Sequence, residues 1–342
     1  MIGIVLVHTM IWIYRPAAGE APAVAFADNA WEEISSIFGW FRLPLLFVIS
    51  GFLVSARIRA GWRDRRSLER AASSYYLYVA WLTVYGVLSF VVPPGSPFRI
   101  WEPASYVRQL VLPRTILWFI LALALWALVL SALHRVPPVL MLVALAALTV
   151  ATDWMPGNNG GDLYLRVLYF GFFFALGVYL KPAVAFLATG GLWWKIIAAG
   201  AVFMVLRKLR YAAPNGRGVG TFFRMLEQTG AVAAAIAAVS LLCLIPVVAR
   251  VLSAVGRNTL PIFVLQMPMF WLLLAIPGWK PLLLVPALQA CAPLLVVGVV
   301  VGGSIGLHRL IMLTPLRVLF GMPSSWSARI IGARRPEVQP VV

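Results

Sequence analysis

The fold is indicated most directly by the stretch Phe41-Arg42-Leu43-Pro44-Leu45-Leu46-Phe47-Val48-Ile49-Ser50-Gly51-Phe52-Leu53-Val54. It is apolar apart from Arg42 near its start and the pair Ser50 and Gly51 near its centre. A helix that contacts only lipid gains nothing from such a pair, whereas small residues let a second helix approach closely. The stretch therefore predicts a membrane-spanning helix against which another helix packs or a ligand binds.

The composition extends this prediction to the whole chain. Its 342 residues are 62% hydrophobic and 11% charged, whereas soluble domains have about 25% charged residues. The net charge of +17 comes from basic residues between apolar runs, where they set topology and contact anionic lipid headgroups. We expect membrane lipids as partners, and no nucleic acid. Cys243 and Cys291 lie in apolar runs without metal-like spacing, so we interpret them as packing residues and expect no metal site.

The apolar runs predict an all-α polytopic membrane protein with about ten transmembrane helices in a single bundle. A span needs about 20 mostly apolar residues, somewhat fewer when it is flanked by anchoring residues. The domain would cover residues 1–320, followed by a loosely ordered basic tail at 321–342. The predicted spans are 1–14, 35–56, 74–92, 115–133, 138–152, 164–180, 192–206, 229–249, 258–276 and 282–307.

The distribution of Lys and Arg predicts the orientation in the membrane. More than half of these residues fall in alternate loops and in the C-terminal segment, which predicts that both termini lie in the cytoplasm and the protein in the cytoplasmic (inner) membrane. The basic residues of 207–224 are an exception. Either they contact an anionic glycan or lipid carrier outside, or the seventh and eighth spans are misplaced.

The first span is short for a bilayer. Residues 1–14 extend roughly 20 Å as a helix, against a hydrocarbon core of about 30 Å. We therefore expect this helix to begin upstream of Met1. The alternative is a signal peptide cleaved among the small residues of 23–27, but that needs a positively charged start, and no Lys or Arg precedes His8.

Five segments, in this order along the chain, resemble acyltransferase family 3 of integral membrane proteins. The opening stretch is similar to the family's Pro-Leu-Phe-Phe-x-x-Ser-Gly-Phe segment, and the first helix segment ends in a histidine as the family's does. Two differences stand out: the family's arginine about eleven positions before that histidine would precede Met1, and Gln266 stands where many members have histidine. The segments are Ile2–Thr9, Arg42–Leu53, Leu117–Leu123, Tyr169–Gly177 and Gly256–Gln266.

The resemblance implies an enzyme that transfers acyl groups to sugars and other hydroxyl acceptors. We expect acyl-CoA as a co-substrate with no bound cofactor, acetyl as the acyl group, and a glycan, lipid-linked sugar or secondary metabolite as the acceptor. We also expect a role in polysaccharide O-acetylation and in the cell envelope. Two alternatives stay open: a transporter or flippase for glycans or lipids, and a catalytically inactive family member.

His8 is the candidate catalytic base, since acyl transfer to a hydroxyl needs a base near that hydroxyl. It is the histidine that lies deep in an apolar span; the alternative is a histidine that merely bonds a neighbouring helix. Gln266 cannot shuttle a proton at neutral pH, so an acid-base role there is in doubt.

The candidate donor-binding residues are basic or polar and cytoplasmic. Arginines bind phosphates in bidentate fashion, but they also serve as topological signals, and Asn258 could simply be a helix N-cap. These residues are Arg66, Arg70, Arg257 and Asn258.

The candidate acceptor or cavity residues lie along the spans. Ser50 and Gly51 would admit a pantetheine chain or only a second helix, and Arg42 would pair with an acceptor or with outer headgroups. We favour an interface anchor for Trp118 over a cavity position. Gln266 completes this set.

Overall fold

The computed structural model describes residues 1–18, 25–63, 65–91, 103–156, 162–214, 216–276 and 285–331, and their regular secondary structure is entirely helical. Short 3₁₀ segments occur at Gly61–Arg63, Thr152–Trp154 and Pro315–Phe320, and a π-helical segment, Met10–Tyr14, follows the first helix. The helices are α1 (Ile2–Thr9), α2 (Arg15–Ala18), α3 (Ala25–Ala60), α4 (Arg65–Leu88), α5 (Pro103–Gln109), α6 (Trp118–Ala132), α7 (Pro138–Ala151), α8 (Leu163–Tyr179), α9 (Lys181–Ala188), α10 (Trp193–Ala212), α11 (Val219–Leu242), α12 (Pro246–Arg257), α13 (Thr259–Ala275), α14 (Pro286–Met312) and α15 (Ser324–Ile331).

Three of these helices are long and apolar enough to cross a membrane: Asn29–Ala60 within α3, α11, and Ala290–Met312 within α14. The count rises to five if α8–α9 and α12–α13 are each one broken span. Other apolar helices are shorter; the 15 residues of α6 extend only about 22 Å. The prediction of an all-α membrane protein is confirmed for the described residues, and the count of ten spans stays a prediction.

The chain forms two compact units. The first unit contains Met1–Leu46 and Pro182–Pro315, and the second contains Phe47–Lys181 and the C-terminal segment from Leu316. The long helix α3 contributes its first part to the first unit and its second part to the second.

In the first unit, α1 packs on α14, and α14 also packs on α13. The buried side chains of α1 include Ile4, Val5 and Leu6, and the early part of α13 is buried as well. The indole of Trp31 in α3 donates to the carbonyl oxygen of Ala290 in α14 at 3.0 Å. These contacts hold α1 against α13 and α14, which places the candidate site.

In the second unit, α3 and α8 approach until their backbones touch. A Cβ atom added at Gly51 would collide with the carbonyl oxygen of Phe174, and one added at Gly177 would collide with that of Val48. The buried hydroxyl of Ser55 donates to the carbonyl oxygen of Val178 at 2.7 Å. The Ser50–Gly51 feature of the sequence therefore provides helix packing at its glycine.

The C-terminal segment docks on α4. Tyr76 donates to the carbonyl oxygen of Val318 at 3.0 Å, and the indole of Trp81 donates to that of Leu319 at 2.7 Å. Ser327 in α15 donates to the Glu69 carboxylate at 3.0 Å. The expectation of a loosely ordered tail is wrong for 324–331. These residues form a helix, and aromatic and polar side chains of α4 hold it in place. Residues 332–342 lie outside the described residues.

Two further expectations differ from the structure. The seventh and eighth spans were predicted at 192–206 and 229–249, but α10 continues to Ala212 and α11 already begins at Val219. Both helices include charged residues that form ion pairs, as described below. Cys243 and Cys291 are exposed free cysteines, so the interpretation as packing residues is wrong.

Candidate active site

His8 lies on α1, directly before the π-helical segment Met10–Tyr14. Its side chain is half-buried, while Val7 and Thr9 on either side are buried. Pro16 follows the segment, and a proline ring clashes with the carbonyl four residues earlier, which a wider turn relieves. Such single π-turns are rare and often occur at functional sites. The histidine thus keeps an accessible edge at an irregular point of a buried helix.

Gln266 on α13 is the hydrogen-bond partner of His8. The distance between His8 Nδ1 and Gln266 Oε1 is 3.1 Å, and Gln266 is fully buried. The other end of the glutamine amide, Nε2, donates to the carbonyl oxygen of Phe263 at 3.0 Å. This second bond fixes which end of the amide faces the histidine.

The pairing determines the tautomer of a neutral His8. An amide oxygen only accepts hydrogen bonds, so His8 must carry its proton on Nδ1 and donate it to Gln266. The lone pair of the neutral imidazole is then on Nε2. An imidazole oriented in this way by a second group is the arrangement that general bases require.

Arg42 of α3 also belongs to this site. It is half-buried and close enough to His8 for their charges to interact. The first unit therefore brings together three residues that the sequence analysis named on separate grounds: the candidate base, Gln266 and an arginine.

Trp118, Ser50 and Gly51 lie in the second unit. The interpretation of Trp118 as an interface anchor is wrong, because its side chain is only 5% exposed. Its ring packs with Phe47 and Phe170, at centroid distances of 5.9 and 5.6 Å. Phe47 and Phe170 are themselves stacked at 5.2 Å with an interplanar angle of 3°. Trp118 is therefore part of an aromatic core.

The candidate donor arginines of α4 are on the surface of the second unit. Arg66 and Arg70 are both exposed, and Arg70 interacts electrostatically with Arg57 and Glu69. The hydroxyl of Ser67 donates to the carbonyl oxygen of Arg57 at 2.5 Å, which connects the start of α4 to the end of α3. Exposed guanidinium groups on adjacent helix ends form a surface suited to phosphates.

Arg257 and Asn258 lie at the junction of α12 and α13, which meet at 77°. Arg257 Nη1 donates to Ser253 Oγ at 2.8 Å. Asn258 Nδ2 donates to the carbonyl oxygen of Ala254 at 2.8 Å. The alternative in which the Asn258 side chain caps the start of α13 is wrong. Its amide instead donates a hydrogen bond to a backbone carbonyl near the end of α12.

Sequence reasoning missed a buried ion cluster in the first unit. Glu227 of α11 is 1% exposed, and it pairs with Arg210 and Arg207 of α10, the latter at 3.8 Å between Nη1 and Oε1. The Arg207 guanidinium also lies 3.9 Å from the ring centroid of Trp40 in α3. The sequence did contain a signal for this cluster. Arg207 and Arg210 are three positions apart in one apolar helix, and Glu227 is an acid in the next. Two of the basic residues of 207–224 therefore lie within α10 and neutralise this acid, while the orientation of this region in the membrane stays a prediction.

No group of three or more His, Cys, Asp or Glu side chains that could hold a metal ion occurs among the described residues. The fold and the site together define a helical membrane protein with an oriented histidine against a buried glutamine.

Comparison with known families identifies the chain further. Residues 1–308 match the family described as "Acyltransferase domain", which is acyltransferase family 3. The chain belongs to this family and is an acyltransferase that transfers groups other than amino-acyl groups. No curated protein and no solved structure matches it.

Proposed function

We propose that this protein is a membrane O-acyltransferase that moves an acyl group, with acetyl expected, from acyl-CoA to a hydroxyl group. The acceptor would be a glycan, a lipid-linked sugar or a secondary metabolite. The observation that carries the proposal is the hydrogen bond between His8 Nδ1 and Gln266 Oε1, which leaves Nε2 as the proton acceptor. The protein would act in the cytoplasmic membrane with both termini in the cytoplasm.

His8 Nε2 takes the proton of the acceptor hydroxyl while the hydroxyl oxygen attacks the thioester carbonyl carbon. The carbonyl oxygen becomes negatively charged in the tetrahedral intermediate, and a fixed positive charge stabilises such an oxyanion. Arg42 would supply that charge. When the intermediate collapses, the carbon–sulfur bond breaks, and the proton on His8 goes to the departing thiolate. The products are the acyl ester and CoA.

Gln266 would be a positioning residue in this reaction. It holds the Nδ1 proton of His8 and keeps the ring in one orientation, but it takes no proton itself. A glutamine would suit this role because an oriented base needs an acceptor at Nδ1 and a glutamine oxygen supplies one. A catalytically inactive family member stays the alternative that the activity assay below decides. Arg257 and Asn258 of the first unit would contact the phosphates of the donor from the cytoplasmic side. Arg66 and Arg70 of the second unit stay candidates for donor binding because their guanidinium groups suit phosphates.

The proposal is tested with purified protein, radiolabelled acetyl-CoA and a crude envelope glycan fraction. We expect label transfer by the wild type and a loss of about 10²- to 10⁴-fold in His8→Ala, the usual contribution of a general base. CoA binding by His8→Ala should remain, since the histidine acts on the acceptor. Transfer at the wild-type rate by His8→Ala would contradict its role as the base.

A transporter or flippase is the alternative that the Glu227 cluster favours, because ionisable groups within spans often mark transport pathways. Reconstituted vesicles distinguish the two functions. Movement of a labelled glycan carrier without any acyl donor would support transport, whereas label transfer that depends on the donor supports the enzyme.

A further inference from the structure

The second unit contains an apolar groove of about 660 Å³ between α4 and α6. This volume is within the range of about 300–1,000 Å³ that is typical of ligand pockets. Its long walls include Leu68, Ala72 and Tyr75 of α4 and Leu121, Leu125 and Leu128 of α6. Ile330 of α15 also lines the groove, so the docked C-terminal helix forms part of its wall.

The groove follows one face of each of the two helices. Its α4 residues recur three or four positions apart, and so do its α6 residues, so each set forms one face of its helix. Each set spans eight residues, so its first and last Cα atoms are roughly 10 Å apart along the helix axis. Alanines at 71, 72 and 124 also line the groove. An apolar groove along two helix faces fits a hydrocarbon chain better than a compact polar molecule.

The lining offers few polar groups to a ligand. The hydroxyl of Tyr75 donates to the carbonyl oxygen of Leu110 at 3.3 Å, and the hydroxyl of Tyr164 donates to that of Pro156. Both tyrosine protons are therefore engaged. Leu125 and Leu128 are 38% and 41% exposed, so the groove continues into an exposed apolar surface, which in a membrane protein faces lipid.

Positive charge lies next to the groove. Arg65 is one turn before Leu68 on the same face of α4, and Arg329 directly precedes Ile330 in α15. The side chains of both arginines are exposed. Guanidinium groups bind phosphate in bidentate fashion, and basic residues at a membrane surface attract anionic lipids.

We propose that this groove binds an acyl chain of an anionic membrane phospholipid, whose headgroup phosphate contacts Arg65. The apolar lining selects a hydrocarbon chain, the apolar surface around it gives access from the bilayer, and the arginine selects an anionic head. The site would hold a lipid and takes no part in the proposed transfer reaction. It also includes α15, which lies beyond the residues 1–308 that match the family.

The test uses the full-length protein in nanodiscs that contain phosphatidylglycerol with a photoactivatable diazirine in one acyl chain. After illumination, peptide mapping locates the label. We expect it on the α4 and α6 segments that line the groove, at least about fivefold above the same label on phosphatidylcholine. Ala72→Phe, which fills the groove, should reduce labelling at least about fivefold, whereas Ala56→Phe on an exposed face of α3 should leave it unchanged.

A second pair of variants tests the headgroup contact. Arg65→Gln should remove the preference for phosphatidylglycerol, while Arg224→Gln, an exposed arginine of the first unit, should retain it. If Ala72→Phe does not fold, Leu128→Trp fills the groove from the more exposed wall. Label that falls only outside the groove, or equal labelling in the filled variants, would overturn the proposal. A competition experiment gives a further contradicting outcome. If palmitoyl-CoA displaces the label but excess unlabelled phosphatidylglycerol does not, the groove binds a long-chain acyl donor and the proposal is overturned.

Discussion

Replacing Gln266 with leucine separates the oriented-base mechanism from a merely structural histidine. The change removes the oxygen that accepts the Nδ1 proton of His8 at 3.1 Å and places an apolar side chain in a fully buried position. Leaving a buried donor without a partner costs about 1–3 kcal/mol. If that cost applies to the reactive tautomer, kcat falls roughly 5- to 150-fold, at one decade for each 1.36 kcal/mol.

The Gln266→Leu assay measures initial rates of acetyl transfer over a range of acceptor concentrations. We expect kcat to fall and KM to stay nearly constant, because Gln266 orients the base without contacting the acceptor. Gln266→Glu retains an acceptor oxygen at the same place and should restore most of the rate. Gln109→Leu is the matched control: it removes an equally buried glutamine of the second unit and should change kcat less than twofold.

Two outcomes would contradict the assigned tautomer of His8. If Gln266→Leu keeps the wild-type kcat in folded protein while His8→Ala is inactive, the hydrogen bond does not control the base. The rate of Gln266→Leu could also fall only in proportion to the amount of folded protein, without recovery in Gln266→Glu. That result would likewise assign the pair a structural role.

Three further changes test other contacts. Gly51→Ala forces a Cβ atom against a backbone carbonyl of α8 and should destabilise the protein by about 1–3 kcal/mol, seen as a lower Tm in detergent; Gly39→Ala meets open space and should not. Glu227→Gln leaves two partly buried arginines without their carboxylate and should cost about 3–5 kcal/mol, whereas Glu32→Gln breaks an exposed pair worth less than about 1 kcal/mol. Arg42→Gln should lower kcat about tenfold or more if its charge stabilises the oxyanion; an unchanged kcat would remove it from the mechanism.

Most of the helices were predictable because hydropathy is a local property. The apolar runs at 115–133 and 258–276 match α6 and α13 within a few residues. The predictions failed where charge interrupts an apolar run. The predicted seventh span ends too early because Arg207 and Arg210 follow it. A charge within a membrane helix needs a partner that neutralises it, and the order of residues in the sequence does not reveal that partner.

The candidate site was predictable in its residue types but not in its arrangement. His8 was identified from its position in an apolar run, and Gln266 from a resemblance to the family. Their contact joins residues 258 positions apart. The role of Trp118 was misjudged for the same reason: a tryptophan at a helix start is typical of a membrane interface, but packing against Phe47 and Phe170 places it in a core.

Composition, the lengths of the apolar runs and the chemistry of single side chains already indicate that this protein is helical and enters a membrane, and they single out His8 as the candidate base. The tertiary structure adds which nitrogen of a neutral His8 carries the lone pair, which acid the arginines of α10 neutralise, and that Gly51 serves a helix contact. Each of these depends on which faces of distant helices meet, and that is set by side-chain packing summed over the whole chain.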